Sequence, residues 1–87
     1  MKIKEGYMLR KVAGKYIVVP VGEEAVDFNG LITTNETGAF LWKALENEIS
    51  EEKLLSEFLA EYDIDEQTAA SDLSDFISKL NKAELIV

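Results

Sequence analysis

The apolar residues of this 87-residue chain change their period at Asn35, from two to about 3.6, and that change constrains the architecture more than any single motif. Before it, Tyr7-Met8-Leu9-Arg10-Lys11-Val12 alternates, with Tyr7, Leu9 and Lys11 on one face of a strand and Met8, Arg10 and Val12 on the other. Ala13-Gly14 signals a tight turn, and Lys15-Tyr16-Ile17-Val18-Val19 follows as a β-branched run. Pro20 is expected to stop the ladder, because it has no N–H to donate. Val21-Gly22-Glu23-Glu24 reads as a loop. Ala25-Val26-Asp27-Phe28 and Leu31-Ile32-Thr33-Thr34 then flank Asn29-Gly30, a strong hairpin signal, since both central residues of a type I′ turn need positive φ. The expectation is a meander of three or four short strands, which must cover one face with another layer.

The second period supplies that layer. Asn35 fits an N-cap, Glu36 complements the helix dipole, and Leu41 and Leu45 recur at helical spacing in the run 37–45. Ser50 caps a second helix whose Leu54, Leu55, Phe58, Leu59 and Tyr62 form one stripe. Asp63-Ile64-Asp65 breaks it, and Asp65 caps a third. There Ala69, Leu73, Phe76, Ile77 and Leu80 share a face, with Lys79 and Lys82 near the negative C-terminal end. Leu85-Ile86-Val87 either adds a strand or packs on the core. The reading is an α+β fold: a small N-terminal antiparallel meander followed by three helices, winged-helix-like in its parts, with residues 1–87 forming one domain.

Aromatic and acidic residues are mostly explained by this scaffold. Phe58, Tyr62 and Phe76 lie on apolar stripes and read as core. The first helix cannot bury every side of so apolar a run, which leaves Phe40 or Trp42 to line a groove or an oligomer contact. Glu23-Glu24, Glu51-Glu52 and the Asp63/Asp65 pair fall in loops and first helical turns, where solvated or capping carboxylates belong. Cysteine and histidine are absent, which removes the usual zinc and iron–sulfur ligands, thiol nucleophiles, disulfides and the commonest general base. A Walker loop, dinucleotide fingerprint and nucleophile elbow are lacking too. The chain therefore reads as a binding module, not an enzyme, with no metal or cofactor.

Nine Lys and Arg against 17 Asp and Glu give a formal charge of −8, which disfavours phosphate backbones and anionic lipid as partners. The charge is uneven: Lys2, Lys4, Arg10, Lys11 and Lys15 make the start basic, and acidic residues crowd the stretch from Glu46 to Asp75. The N-terminus is too polar for a signal peptide, and no apolar run is long enough to span a bilayer, so a cytoplasmic location is expected.

The most specific segment is Phe28-Asn29-Gly30-Leu31-Ile32-Thr33-Thr34-Asn35-Glu36-Thr37-Gly38-Ala39-Phe40-Leu41-Trp42. Together with Gly6-Tyr7-Met8-Leu9-Arg10, Val12-Ala13-Gly14, Tyr16-Ile17-Val18-Val19-Pro20, and Tyr62, Ala70, Asp72, Phe76, Leu80 and Leu85-Ile86, it resembles the PqqD-like proteins, also called RiPP recognition elements. The resemblance covers nearly the whole chain, and Asn35-Glu36-Thr37-Gly38, between a strand and a helix, is its most diagnostic piece. The Asp27-Phe28-Asn29-Gly30 hairpin lengthens the connection found in the shortest members.

The resemblance implies a non-catalytic chaperone for the leader of a ribosomally made precursor peptide. Its partners would be that leader peptide and a modifying enzyme, often of the radical SAM class, in pyrroloquinoline quinone (PQQ) or related peptide biosynthesis. The leader would add as a strand to the sheet edge and lie against the third helix. A free edge, with unpaired N–H and C=O groups, suits that mode. The receiving strand is expected at Leu31, Ile32, Thr33 and Thr34, with residues 25–28 as a second option, and the groove wall at Leu73, Phe76, Ile77 and Leu80. Two rival readings use the same parts. A winged-helix DNA-binding regulator needs a basic recognition helix, yet the third helix carries Asp65, Glu66, Asp72 and Asp75 before any lysine. A scaffold or dimerisation domain would use Trp42 and the exposed edge, and an edge strand can also pair with its own copy, so a homodimer stays open.

Overall fold

The computed structural model describes residues 1–21 and 32–87. Three strands, β1 (Tyr7–Val12), β2 (Lys15–Pro20) and β3 (Ile32–Thr34), precede three helices, α1 (Glu36–Leu45), α2 (Glu51–Glu61) and α3 (Glu66–Lys82). The strands form an antiparallel sheet in the order β1-β2-β3. This is the expected α+β order. The expected strand at 25–28, the Asn29-Gly30 turn and Leu31 lie outside the described residues.

The β1–β2 hairpin closes through Ala13 and Gly14, both at positive φ (53° and 80°), the backbone a two-residue type I′ turn requires. Alternation sorts the sheet as the sequence demands. Val18 is buried, and Tyr7, Leu9 and Ile32 pack against the same core, while Met8, Arg10 and Val12 stay exposed on the other face. Pro20 does not stop the ladder. It sits opposite Tyr7, and the next residue continues the pairing, with the Val21 N–H donating to the Gly6 carbonyl at 2.7 Å. Alternate residues of a strand turn their polar groups to opposite sides, so Val21 facing β1 turns the nitrogen of Pro20 away from it.

Each helix starts on the cap read from the sequence. Asn35 Oδ1 accepts from the Gly38 N–H at 2.9 Å and Ser50 Oγ from the Lys53 N–H at 3.1 Å. Asp65 accepts from both the hydroxyl and the N–H of Thr68, at 2.7 and 3.0 Å. Those two bonds, the hydroxyl's first, hold the Asp65 carboxyl below its ordinary pKa. The capping contribution is therefore present above the ordinary carboxylate value and fades as the pH falls through the lower folded one.

The helices close over the inner face of the sheet. Leu41, Trp42 and Leu45 of α1, Leu54 and Phe58 of α2, and Ala69, Leu73 and Leu80 of α3 form one core with Val18. Tyr62 meets both Phe40 and Phe58 edge to face, with ring centroids 5.6 and 5.5 Å apart. The terminal segments seal the far end. Ile3 bridges Ile86, the Lys4 N–H donates to the Leu85 carbonyl at 2.7 Å, and Ile3 and Leu85 are buried. The tail thus does both things expected of it, pairing and packing.

Two backbone positions carry strain that substitution can relieve. Ala13 (φ 53°) and Glu84 (φ 59°), just past α3, are non-glycine residues in the left-handed region. Ala13→Asn and Glu84→Gly are each expected to raise stability by about 0.5–1 kcal/mol, read as a higher midpoint in chemical denaturation. Gly38 is the opposite case. A Cβ there would overlap the Thr34 Oγ1 and lie 2.9 Å from the Thr34 Cβ. Gly38→Ala is expected to cost about 1–3 kcal/mol by the same measurement, as other overpacking substitutions do.

Candidate functional site

The free edge of the sheet follows from the direction of its hydrogen bonds. With Val21 facing β1, the odd-numbered residues of β2 face β1 and Tyr16 and Val18 face β3. Their partners Thr34 and Ile32 therefore bond inward, and Thr33, opposite Ile17, turns its N–H and C=O away from the sheet. Among the described residues β3 is an edge strand, and Thr33 is the residue whose backbone it offers outward. One side chain meets it: Lys79 of α3 reaches across and donates from Nζ to the Thr33 carbonyl at 3.1 Å.

Between that edge and α3 lies a cleft of about 330 Å³, a size within the range of ligand sites. Thr34 at the end of β3, the cap residue Asn35, and Thr37, Gly38 and Leu41 of α1 line one side. Asp72, Asp75, Phe76 and Lys79 line the other wall, and their spacing puts them on one face of α3. The missing Cβ at Gly38 lets the Thr34 hydroxyl sit against the first turn of α1, which draws the end of β3 down onto the helix and leaves the gap to α3 open. The Asn35 cap fixes the same corner. The wall is polar along its length, with carboxylates at one end and an ammonium at the other, and the half-buried ring of Phe76 between them is its apolar element. A wider depression between α1 and α2, lined by Phe40, Ala44, Ala60 and Glu61, is remote from the strand edge.

The expected site residues divide. Thr34 and Phe76 line the cleft, and Thr33 presents the edge. Ile32 turns inward and packs against the core, as does Ile77. Leu73 and Leu80, at 2% and 1% exposure, are core residues that back the helix instead of forming a groove wall. Leu31 lies outside the described residues. Asn35, Thr37, Asp72, Asp75 and Lys79 complete the cleft although the apolar pattern does not mark them. Their signal was spacing: 72, 75, 76 and 79 form an i, i+3, i+4, i+7 set around Phe76. Trp42, expected as a candidate contact, is 1% exposed and belongs to the core because α1 turns it under the sheet, whereas Phe40 does line a surface depression. A dimer contact through Trp42 is thereby removed.

Among the described residues no group of three or more His, Cys, Asp and Glu side chains is placed to hold a metal ion. No described helix is long and apolar enough to cross a membrane.

No curated protein matches the chain. Among solved structures, TbiB1 in complex with the TbiA(beta) leader peptide has a TM-score of 0.74 against this chain, covering 98% of it and 93% of TbiB1 at 24% identity. That likeness establishes a shared fold. The sequence pattern of one family runs from residue 11 to residue 86 and so takes in the end of β1, the turn to β2, the Thr34–Gly38 corner, the cleft and Ile86 of the C-terminal bridge. The chain belongs to the Coenzyme PQQ synthesis protein D (PqqD) family.

Proposed function

We propose that residues 1–87 act as one non-catalytic peptide-binding domain. It takes the leader of a ribosomally made precursor as an added strand on β3 and presents it to a modifying enzyme, of the radical SAM class, in the cytoplasm. The observation that carries this reading is the juxtaposition of the outward-turned Thr33 backbone and the cleft against α3. The edge supplies sequence-independent hydrogen bonds, each worth about 0.5–1.5 kcal/mol net, which are too few on so short a strand for tight binding. The cleft supplies the rest, because an apolar peptide side chain buried against Phe76 and Leu41 adds about 1.5–3 kcal/mol. Family membership and a shared fold with a leader-bound protein support the same assignment. The acidic wall of the cleft, with Asp72 and Asp75, speaks against duplex DNA as the ligand of α3.

The probes for this reading are synthetic N-terminal segments of short reading frames encoded beside this gene, titrated into isotope-labelled protein. Shift changes are expected at Thr33, Thr34, Phe76 and Lys79; changes confined to the β1–β2 hairpin or to the α1–α2 depression would overturn the placement. Phe76→Ala is expected to weaken binding about 10- to 100-fold with the fold retained, the loss of one buried apolar anchor. Strand addition makes a separate demand on the peptide. N-methylation of alternate amides should lower affinity at least about tenfold in one register and little in the other, because only one edge of the added strand faces β3. Equal affinity for both methylated forms would sink strand addition.

A further inference from the structure

We infer that β1 is an interface for a second copy of this chain, paired antiparallel about Leu9 and held by Lys11 of each copy against Glu46 of the other. β1 is the other edge of the sheet among the described residues. Tyr16 and Val18 direct their backbone groups to β3, so their β1 partners Lys11 and Leu9 turn N–H and C=O outward. The two edges are not equivalent. β3 is three residues long, and Lys79 takes its outward carbonyl at Thr33. β1 is six residues long, and among the described residues nothing bonds to the outward groups of Leu9 and Lys11. A long edge without such cover is a template for another strand.

Charge selects the register. Outward residues must oppose outward residues, which puts the twofold axis on a residue and not between two. An axis on Arg10 or Lys11 sets that cation directly against itself, which is destabilising. An axis on Tyr7, Met8 or Val12 pairs three residues of each strand or fewer. An axis on Leu9 pairs residues 7–11 and opposes no like charges, since Arg10 meets Met8 and Lys11 meets Tyr7. Tyr7 and Leu9 line a cavity of about 280 Å³ together with Lys4, Glu5, Trp42 and Glu46. Its two carboxylates outnumber its one cation, so Lys4 can neutralise only one of them. Glu46 ends α1 in the helical layer, the side of the sheet to which Lys11 points by alternation with Leu9. Lys11 of the second copy, opposite Tyr7, is the cation that completes the cavity. Pairing at β1 leaves β3 and its cleft at both outer ends of the joined sheet, so the assignment does not depend on what the cleft binds.

Sedimentation velocity and amide hydrogen exchange, each over a range of protein concentration, test this. Between about 10 µM and about 1 mM, a range that suits so small an interface, the wild type is expected to shift from monomer toward dimer. The Leu9 amide should exchange more slowly as dimer accumulates, and the Thr33 amide should not. Glu46→Lys and Lys11→Glu are each expected to weaken the dimer about tenfold, since each reversal acts twice across the axis. Combining them should return the dissociation constant to within about threefold of wild type. Glu46→Lys also removes negative charge from a chain of −8, so general repulsion between copies would make that variant associate more tightly, the opposite result. Both residues are exposed, and the variants are expected to keep the wild-type circular dichroism spectrum. A monomer across the whole range, a dimer that protects Thr33 and not Leu9, or a double variant no tighter than the single ones overturns the assignment.

Discussion

The junction between β3 and α1 is the constraint on which the rest of this molecule depends. Three adjacent facts make it: the Thr34 side chain fills the space a Cβ at Gly38 would need, the Asn35 carboxamide takes the Gly38 N–H, and the strand ends there. Together they set the angle at which the helical layer leaves the sheet. A wider corner would slide α1 outward and let α3 close against β3. Because the contact is between neighbouring residues, it is available early in folding at small cost in loop entropy. The long-range contacts of Leu41, Trp42 and Leu45 then have a defined surface to meet.

Much of this was legible in the residues, for reasons that differ between elements. Asn35, Ser50 and Asp65 each cap a helix because capping is a reaction of a side chain with backbone three residues away, so sequence alone contains both partners. The apolar stripes of α2 and α3 turned inward for the same local reason. The cleft was harder. Periodicity tells which face of α3 is apolar, and Leu73 and Leu80 were expected in the groove on that ground, yet the most apolar line of a helix is the one that disappears into the core. What stays open is its polar flank, where Asp72, Asp75 and Lys79 stand beside Phe76 at the border. Trp42 misled for a related reason: its side depends on the crossing angle of α1 over the sheet, a long-range quantity. Pro20 misled because its effect depends on which way its nitrogen points, and that is set by pairing with β1.

Charge has a place in this scheme that the total of −8 conceals. The exposed basic residues Arg10, Lys11 and Lys15 sit on the β1–β2 hairpin, and Lys11 lies over the ring of Tyr16 at 5.5 Å. The cleft is at the other edge of the sheet, beyond β3. A partner attracted to the hairpin and a peptide held at β3 would therefore approach opposite edges of the sheet that the described residues form. Neither need displace the other. Such separation allows two associations to be made at once.

The pairing of Ile3 with Ile86 has a consequence for how this domain can be joined to others. The Lys2 N–H donates to the Val87 carbonyl and the Val87 N–H to the Lys2 carbonyl, so the two termini leave side by side. They do so next to Leu45, at the C-terminal end of α1, whereas the cleft opens at its N-terminal end. Sequence appended at either terminus departs from one point, about a helix length from the bound strand. A short bridge between the termini would also make the chain a closed ring that could be opened at another loop, with the strand edge and its cleft unchanged.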